Sequence, residues 1–328
     1  MRAARFVRTV VVMIAACIPF SPQFASAQSA YPTRTVRVVV AFAAGGASDI
    51  IARLFAQKLG EYTGANFVVE NVPGAATIIG TEKVARSEPD GYTLYMASST
   101  PFATNPNFYH NLTYSLADFD AVTLVARLPL ILDVNTKLPA STLDEFVAYA
   151  KSKSDGVTIA TPGRGSVGEI VNGMTRGFLG IPVTSVAYRG GAPATTDVMK
   201  GVVDAYFDAI SSSLPLLKGG LIKSLAITGR QRSPAAPDVP TLVELGYPEF
   251  VLENLYTVLV RKGTPRPIVD KLNALLRRAM DDAEFKAVLL KQGLTPEPTT
   301  PEGAMTAILQ DYEWNADMVK RFDIKPVD

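Results

Sequence analysis

The feature that most constrains this chain is a repeated switch of hydrophobic period. "TVRVVVAF" (35–42) is β-branched and apolar on both faces, as a strand covered on both sides of a sheet must be. After the turn "AAGGAS", residues Ile50, Ile51, Leu54, Phe55 and Leu59 recur at helical spacing in "DIIARLFAQKLG". Ser48 or Asp49 is the expected N-cap and Gly60 the expected end. "ANFVVEN" returns to strand, "VPGAAT" turns, and Thr77 is placed to cap "IIGTEKVARSE". "PDG" (89–91) is a turn because Pro sets φ and Gly accepts positive φ, and "YTLYMASS" is a third strand. Such a β-α-β-α-β unit folds through crossover connections into a parallel sheet.

The same logic recurs downstream. "STLDEFVAYAKS" (141–152), opening at Ser141, is a helix, "VTIAT" a strand, and "VGEIVNGMTRGFLG" a helix. "PVTSVAY", "VVDAYFDA" and "IKSLAITG" are strands separated by the helical "TTDVMKG" and "SSSLPLLKGG". A Pro-rich connection (232–250) leads to the strand "LYTVLVRKG" (255–263), and three helices close the chain, the first with Pro265 near its start. Two segments, 121–134 and 252–260, are long enough to pass between two α/β lobes. The first lobe is then discontinuous, 28–128 plus 254–328, with 129–253 as the second, and the two crossing strands form a hinge.

Residues 1–27 are set apart from the fold. Arg2, Arg5 and Arg8 precede an apolar stretch of 12, and "ASA" gives a small-x-small site ending at Ala27. That order is a secretory signal, too short in its apolar part to span a bilayer. A rival is lipidation at Cys17, since "IAAC" has the form of a lipoprotein cleavage box. Removal of the leader subtracts three Arg and no acid, leaving 29 basic residues against 31 acidic. This balance gives no footprint for nucleic acid. The only cysteine, Cys17, leaves with the leader, so the mature chain has no disulfide or cysteine metal site.

Chemistry is then sought in the turns. Gly163, Gly165 and Gly168 fit G-x-G-x-x-G between a strand and a helix. A dinucleotide site also needs an acidic residue ending the next strand, and Arg189 stands there instead. One histidine, His110, remains for a catalytic triad, and no G-x-S-x-G elbow occurs, because Arg164 precedes Ser166 by two. Three turns, "AAGGASD", "VPGAAT" and "TPGRGSVG", each bring a helix start to a strand end, where free amides and the helix dipole favour an anion. At the last of them Gly163 and Gly165 give room, Thr161 and Ser166 add hydroxyls, and Arg164 adds a charge. The alternative is that these glycines only make tight turns.

"AFAAGGASDIIAR", "VENVPGAATIIGTEKVARSEPDGYTLYMAS" and "AYRGGAPATTDVMKGVVDAYFDA" closely resemble the solute-binding receptors of tripartite tricarboxylate transporters, the Bug or TctC family. "APDVPTLVELGYPEF" and "RKGTPRPIVDKLNALL" fit the same pattern. The resemblance covers essentially the whole mature chain. It implies a two-lobed periplasmic-binding-protein (Venus flytrap) α/β fold without cofactor or metal. It also implies a periplasmic, monomeric, non-enzymatic receptor for a small carboxylate, with the membrane subunits of such a transporter as partners. Carried over position by position, the ligand-binding residues are Phe42, Gly45, Gly46, Ala47, Ser48 and Asp49 in the first loop, and Ser98 and Thr100 after the third strand. Thr161, Gly165, Ser166 and Val167 are the carboxylate anchor, followed by Tyr188, Arg189, Gly190, Gly191 and Ala192, then Asp208 and Tyr256. The chain departs from the family's usual residues at Ala76, Pro162, Arg164 and Arg189, which bears on which ligand is held. Rival readings are an exported ligand sensor, or a hydrolase that uses the same cleft.

Overall fold

Residues 36–98 build the alternation expected above: β1 (Val36–Val40), α1 (Ala47–Thr63), β2 (Phe67–Asn71), α2 (Ile78–Ala85) and β3 (Thr93–Ser98). β1 lies between β2 and β3, parallel to both. The computed structural model describes residues 31–327, and the chain from Pro32 on forms one unit. The leader, its Ala27 cleavage site and Cys17 lie outside the described residues.

α1 buries Ile51, Ala52, Phe55, Ala56 and Leu59 on one face. It runs past Gly60 and stops at Gly64, whose left-handed backbone (φ 70°) lets its N–H reach the Gly60 carbonyl at 2.9 Å, a glycine C-terminal signature. Neither Ser48 nor Asp49 caps it; the N-cap is Gly46, with no side-chain cap bond. Thr77 does not cap α2 either. Ala75, Ala76 and Thr77 all have positive φ, and this left-handed run turns the Thr77 hydroxyl to Asn105, whose Nδ2 donates to it at 3.4 Å.

The second set comprises α3 (Leu143–Ser152), β5 (Val157–Thr161), α4 (Val167–Leu179), β6 (Val183–Ala187), α5 (Gly191–Lys200), β7 (Ala205–Ala209), α6 (Ile210–Lys218) and β8 (Ile222–Ile227). α3 is capped one residue later than expected. Thr142, not Ser141, accepts the Glu145 N–H at 3.2 Å, while the Ser141 N–H donates to the Glu145 carboxylate at 2.6 Å. β5 is parallel to β6 and β7.

Two long strands join the sets. β4 (Phe119–Asn135) runs antiparallel to β9 (Glu253–Arg261) from Phe119 to Pro129, then antiparallel to β7 and β8 from Leu130 on. β9 pairs only with β3 and β4, so the return passage is confined to the residues just before it. The order is β2-β1-β3-β9-β4-β7-β5-β6. The antiparallel β4 and β9 make both halves mixed rather than purely parallel. The 232–250 connection is a series of turns with one bridge, Ile227 to Thr241.

α7 (Arg266–Asp281), α8 (Ala283–Lys291), a two-residue strand β10 (Thr295–Pro296) against β4, and α9 (Pro301–Arg321) end the chain. α9 starts in one hydrophobic cluster, where Ala304 and Ile308 meet Val39, Tyr95, Leu124 and Leu259. It ends in another, where Met318 and Ile324 join Leu132, Ile159, Ile170 and Phe207. Gly173 and Gly177 on α4 make this docking possible. A Cβ on them would lie 2.5 Å from Ile324 Cδ1 and 2.3 Å from Phe322 Cε1.

Candidate functional site

The turns before α1 and α4 have nearly the same backbone. Gly45 (φ 85°) and Gly165 (φ 68°) are left-handed. Each is followed by an extended N-cap, Gly46 (φ −85°, ψ 172°) and Ser166 (φ −88°, ψ 172°). A side chain at either glycine would be strained. Each turn therefore delivers the first amides of a helix, which have no intrahelical acceptor, to the same region.

An inner cavity of about 50 Å³ lies there. A water needs about 10–15 Å³ on this measure, so the space takes a few water-sized groups. Phe42, Gly46, Ala47 and Ser48 line it from the first turn and Val167 and Gly168 from α4; Thr100, Gly191, Tyr206, Asp208, Asn254 and Tyr256 add the polar groups, and Leu130, Pro162, Phe207 and Ala209 the rest. Among the described residues no Lys, Arg or His lines it, so an anion there would be met by N–H and O–H dipoles. The turns of the two halves touch around it: a Cβ on Gly190 would sit 3.3 Å from the Ala43 Cβ, and one on Gly45 3.9 Å from the Ala192 Cβ.

Asp208 is the ionisable carboxyl of the wall. Burial pushes its pKa up, partly opposed by the hydrogen bonds it accepts from Thr195 Oγ1 (2.8 Å) and the Ala209 N–H (2.7 Å). Burial also raises the phenols of Tyr206 and Tyr256, so both remain neutral donors. Tyr256 is fixed by Asn254, whose Nδ2 donates to its hydroxyl at 3.1 Å; the Asn254 Oδ1 accepts the Ser99 N–H at 3.2 Å.

Of the sequence-derived residues, Phe42, Gly46, Ala47, Ser48, Thr100, Val167, Gly191, Asp208 and Tyr256 line this cavity. The others stand behind it. Asp49 accepts the Gly45 N–H at 3.0 Å and pairs with Arg53 at 2.9 Å, bracing the first turn. Ser98 Oγ accepts the Thr100 N–H at 3.3 Å. The Thr161 hydroxyl donates to the Gly163 carbonyl at 3.1 Å, so it holds its own turn rather than facing the cavity. Gly165 lies under Tyr109, whose ring would be 2.6 Å from a Cβ there. The Ser166 hydroxyl is buried without a hydrogen-bond partner among the described residues.

Arg164, Tyr188 and Arg189 line a second, outer cavity of about 300 Å³. It shares Phe42 and Pro162 with the inner one. The Tyr188 hydroxyl donates to Asp197 at 2.9 Å, and the Tyr109 hydroxyl to the Arg164 carbonyl at 2.9 Å. His110 is exposed and lines neither cavity.

Sequence reasoning missed Tyr206 and Asn254. For Asn254 the signal was available: it lies two residues before Tyr256 on the same strand, and period two puts both on one face; Tyr206 to Ala209 all line the cavity, so alternation does not single out Tyr206. Gly168 was read only as part of a dinucleotide fingerprint. Its Cβ would meet Thr161 Cβ at 2.9 Å and Pro162 Cδ at 2.8 Å, so it lets α4 start hard against the end of β5.

Two halves joined by long strands, with a cavity lined from both, define the two-lobed solute-binding class. Solved structures agree. The chain is 31% identical to Rpa4515 of R. palustris with adipate (TM-score 0.88), covering 90% of this chain and 100% of that one. It is 32% identical to MatC of Rhodopseudomonas palustris with bound malate (TM-score 0.82), covering 88% and 100%. Protein BugT of Bordetella pertussis is 33% identical over 297 residues, 90% of this chain and 91% of that protein. Residues 51–322 match the tripartite tricarboxylate transporter family receptor, TctC, and the chain belongs to that family of solute-binding receptors.

Proposed function

We propose that the protein, once its leader is cleaved after Ala27, works in the periplasm as a monomer. It holds a small carboxylate between lobes 28–128 plus 254–328 and 129–253, and passes it unchanged to the membrane subunits of a tripartite tricarboxylate-type transporter. The observation that carries this reading is the inner cavity. It is small, free of basic side chains, and walled by the first turn of α4 through Val167 and Gly168. Helix-start amides suit a carboxylate, and two relatives hold dicarboxylates, adipate and malate. Tyr206, Tyr256, Ser48 and Thr100 supply neutral hydroxyls around it. The lobes close because the ligand touches both, and it favours the closed form only through contacts made better there.

Release without turnover is favoured because, among the described residues, no His, Lys or Cys lines the wall and His110 lies outside it. A thermal-shift panel of mono-, di- and tricarboxylates, amino acids and sugars tests the reading. Stabilisation of about 2.7 kcal/mol is expected at a ligand concentration 100 times Kd. Stabilisation by sugars alone would sink it.

A further inference from the structure

The outer cavity is six times the volume of the inner one, and its chemistry is the opposite. Arg164 and Arg189 are both exposed in its wall, and among the described residues no carboxylate lines it. Neither guanidinium has a salt-bridge partner among the described residues. The other polar groups of the wall are already engaged: Tyr188 to Asp197, Tyr109 to the Arg164 carbonyl, and Thr77 to Asn105. The acid that senses Arg164 is Glu169 on α4. Its pKa is raised by burial and drawn partly back by Ser185, Arg176 and Arg164, and it does not line the cavity. The two cavities meet at Phe42 and Pro162. Beyond these two shared residues the outer wall offers two forked cationic donors, which match a carboxylate bidentately.

Resting on the carboxylate reading above, we propose that Arg164 and Arg189 form a second anionic subsite. The ligand is then an elongated diacid, one carboxylate at the α4 start and the other at the arginines, with its chain passing Phe42 and Pro162. A compact monoacid would leave the arginines unused, so the proposal ranks it below a diacid.

Isothermal titration calorimetry with adipate and hexanoate, acids of equal chain length, separates the two subsites. The unmodified chain should prefer adipate by at least about ten-fold, and the Arg164→Gln/Arg189→Gln double variant should lose adipate affinity by that factor while hexanoate moves less than about two-fold. Arg164→Lys/Arg189→Lys should recover part of the preference, since it keeps the charge and loses the fork. An equal loss for both acids means that the rim merely attracts anions, and overturns the subsite. An unchanged adipate affinity also overturns it. Failure of the unmodified chain to bind either acid, or any other in the thermal panel, overturns the carboxylate reading itself, and the subsite with it.

Discussion

The turns that open α1 and α4 share a backbone and differ in what braces them. Before α1, the brace is a charge from the helix itself: Asp49 holds the Gly45 amide and Arg53. Before α4, it is neutral and comes from far away in sequence, with Tyr109 donating to the Arg164 carbonyl and covering Gly165. An anionic side chain in the first turn of α1 already uses that helix's positive end. α4 carries an acid at the same position, Glu169, but that carboxyl is bonded to Ser185 and pushed up by burial, so on the proposed reading the amides of the α4 turn are left for a ligand. On the proposed reading, nearly the same geometry gives one braced turn and one recognition turn, and the distinction rests on what each built-in carboxylate holds.

The largest expected break is Gly165→Val. A β-branched residue at φ 68°, with Tyr109 at 2.6 Å from its Cβ, forces the anchor turn open. Carboxylate affinity should fall by about 100-fold or more, with a stability loss of about 1–3 kcal/mol. Unchanged affinity in calorimetry would remove α4 as the anchor.

Asp49→Asn comes next and probes the other turn. Burial raises the Asp49 pKa, but Arg53, the Gly45 amide and Asn71 outweigh it, and the group sits below its ordinary value. A depressed carboxyl stabilises the fold above its unfolded pKa and loses that contribution as pH falls through the folded value. The variant should therefore be less stable by about 1 kcal/mol at neutral pH, a figure reduced because Arg53 is half exposed. The deficit should begin to shrink below about pH 4 and vanish once the pH is below the folded value. Melting curves from pH 3 to 7 check this; a deficit that persisted in acid would mean that the brace is not ionic.

Asp208→Asn has the reverse sign. Its raised pKa means that the folded state holds the proton longer, so native stability falls as pH rises above the ordinary carboxylate range. Relative to the variant, the natural chain should lose stability between about pH 4 and 7. A flat difference in melting temperature over that range would show that Asp208 titrates normally. The smallest effect belongs to Tyr109→Phe, which deletes one donor to the Arg164 carbonyl and keeps the ring. About 0.5–1.5 kcal/mol of stability is at stake, read by denaturant unfolding, together with a weakening of carboxylate affinity well short of the Gly165→Val loss.

Much of this arrangement was legible in local sequence. Strand and helix periods located β1 to β3 and β5 to β8, because both-face apolar runs and 3.6-residue spacing have different causes. The helix starts were legible as turns, but their caps were not: Ser48, Asp49 and Thr77 have the right chemistry, and neighbours decide how it is spent. Nothing local announces that β9 enters antiparallel, that residues 100–104 form a wide π-type turn, or that Met318 and Ile324 dock beside α4. Those depend on partners up to 200 residues away. Asn254 was within reach of the period-two argument. Arg164 was legible as a charge, but its outer position depends on how Pro162 and Phe42 divide the space.

β4 leaves β9 and takes up β7 between Pro129 and Leu130. Proline has no N–H to give to a ladder. The strand is thus continuous as a covalent tether and interrupted as a hydrogen-bonded ribbon at the place where the halves meet. Rotation about that point strands no donor of Pro129, while Leu130 keeps its own bond to Thr228 Oγ1 at 2.8 Å on the far side. If the lobes close as proposed, bending there breaks no ladder bond donated by Pro129, and the balance of open and closed forms is left to be set by whatever fills the cleft.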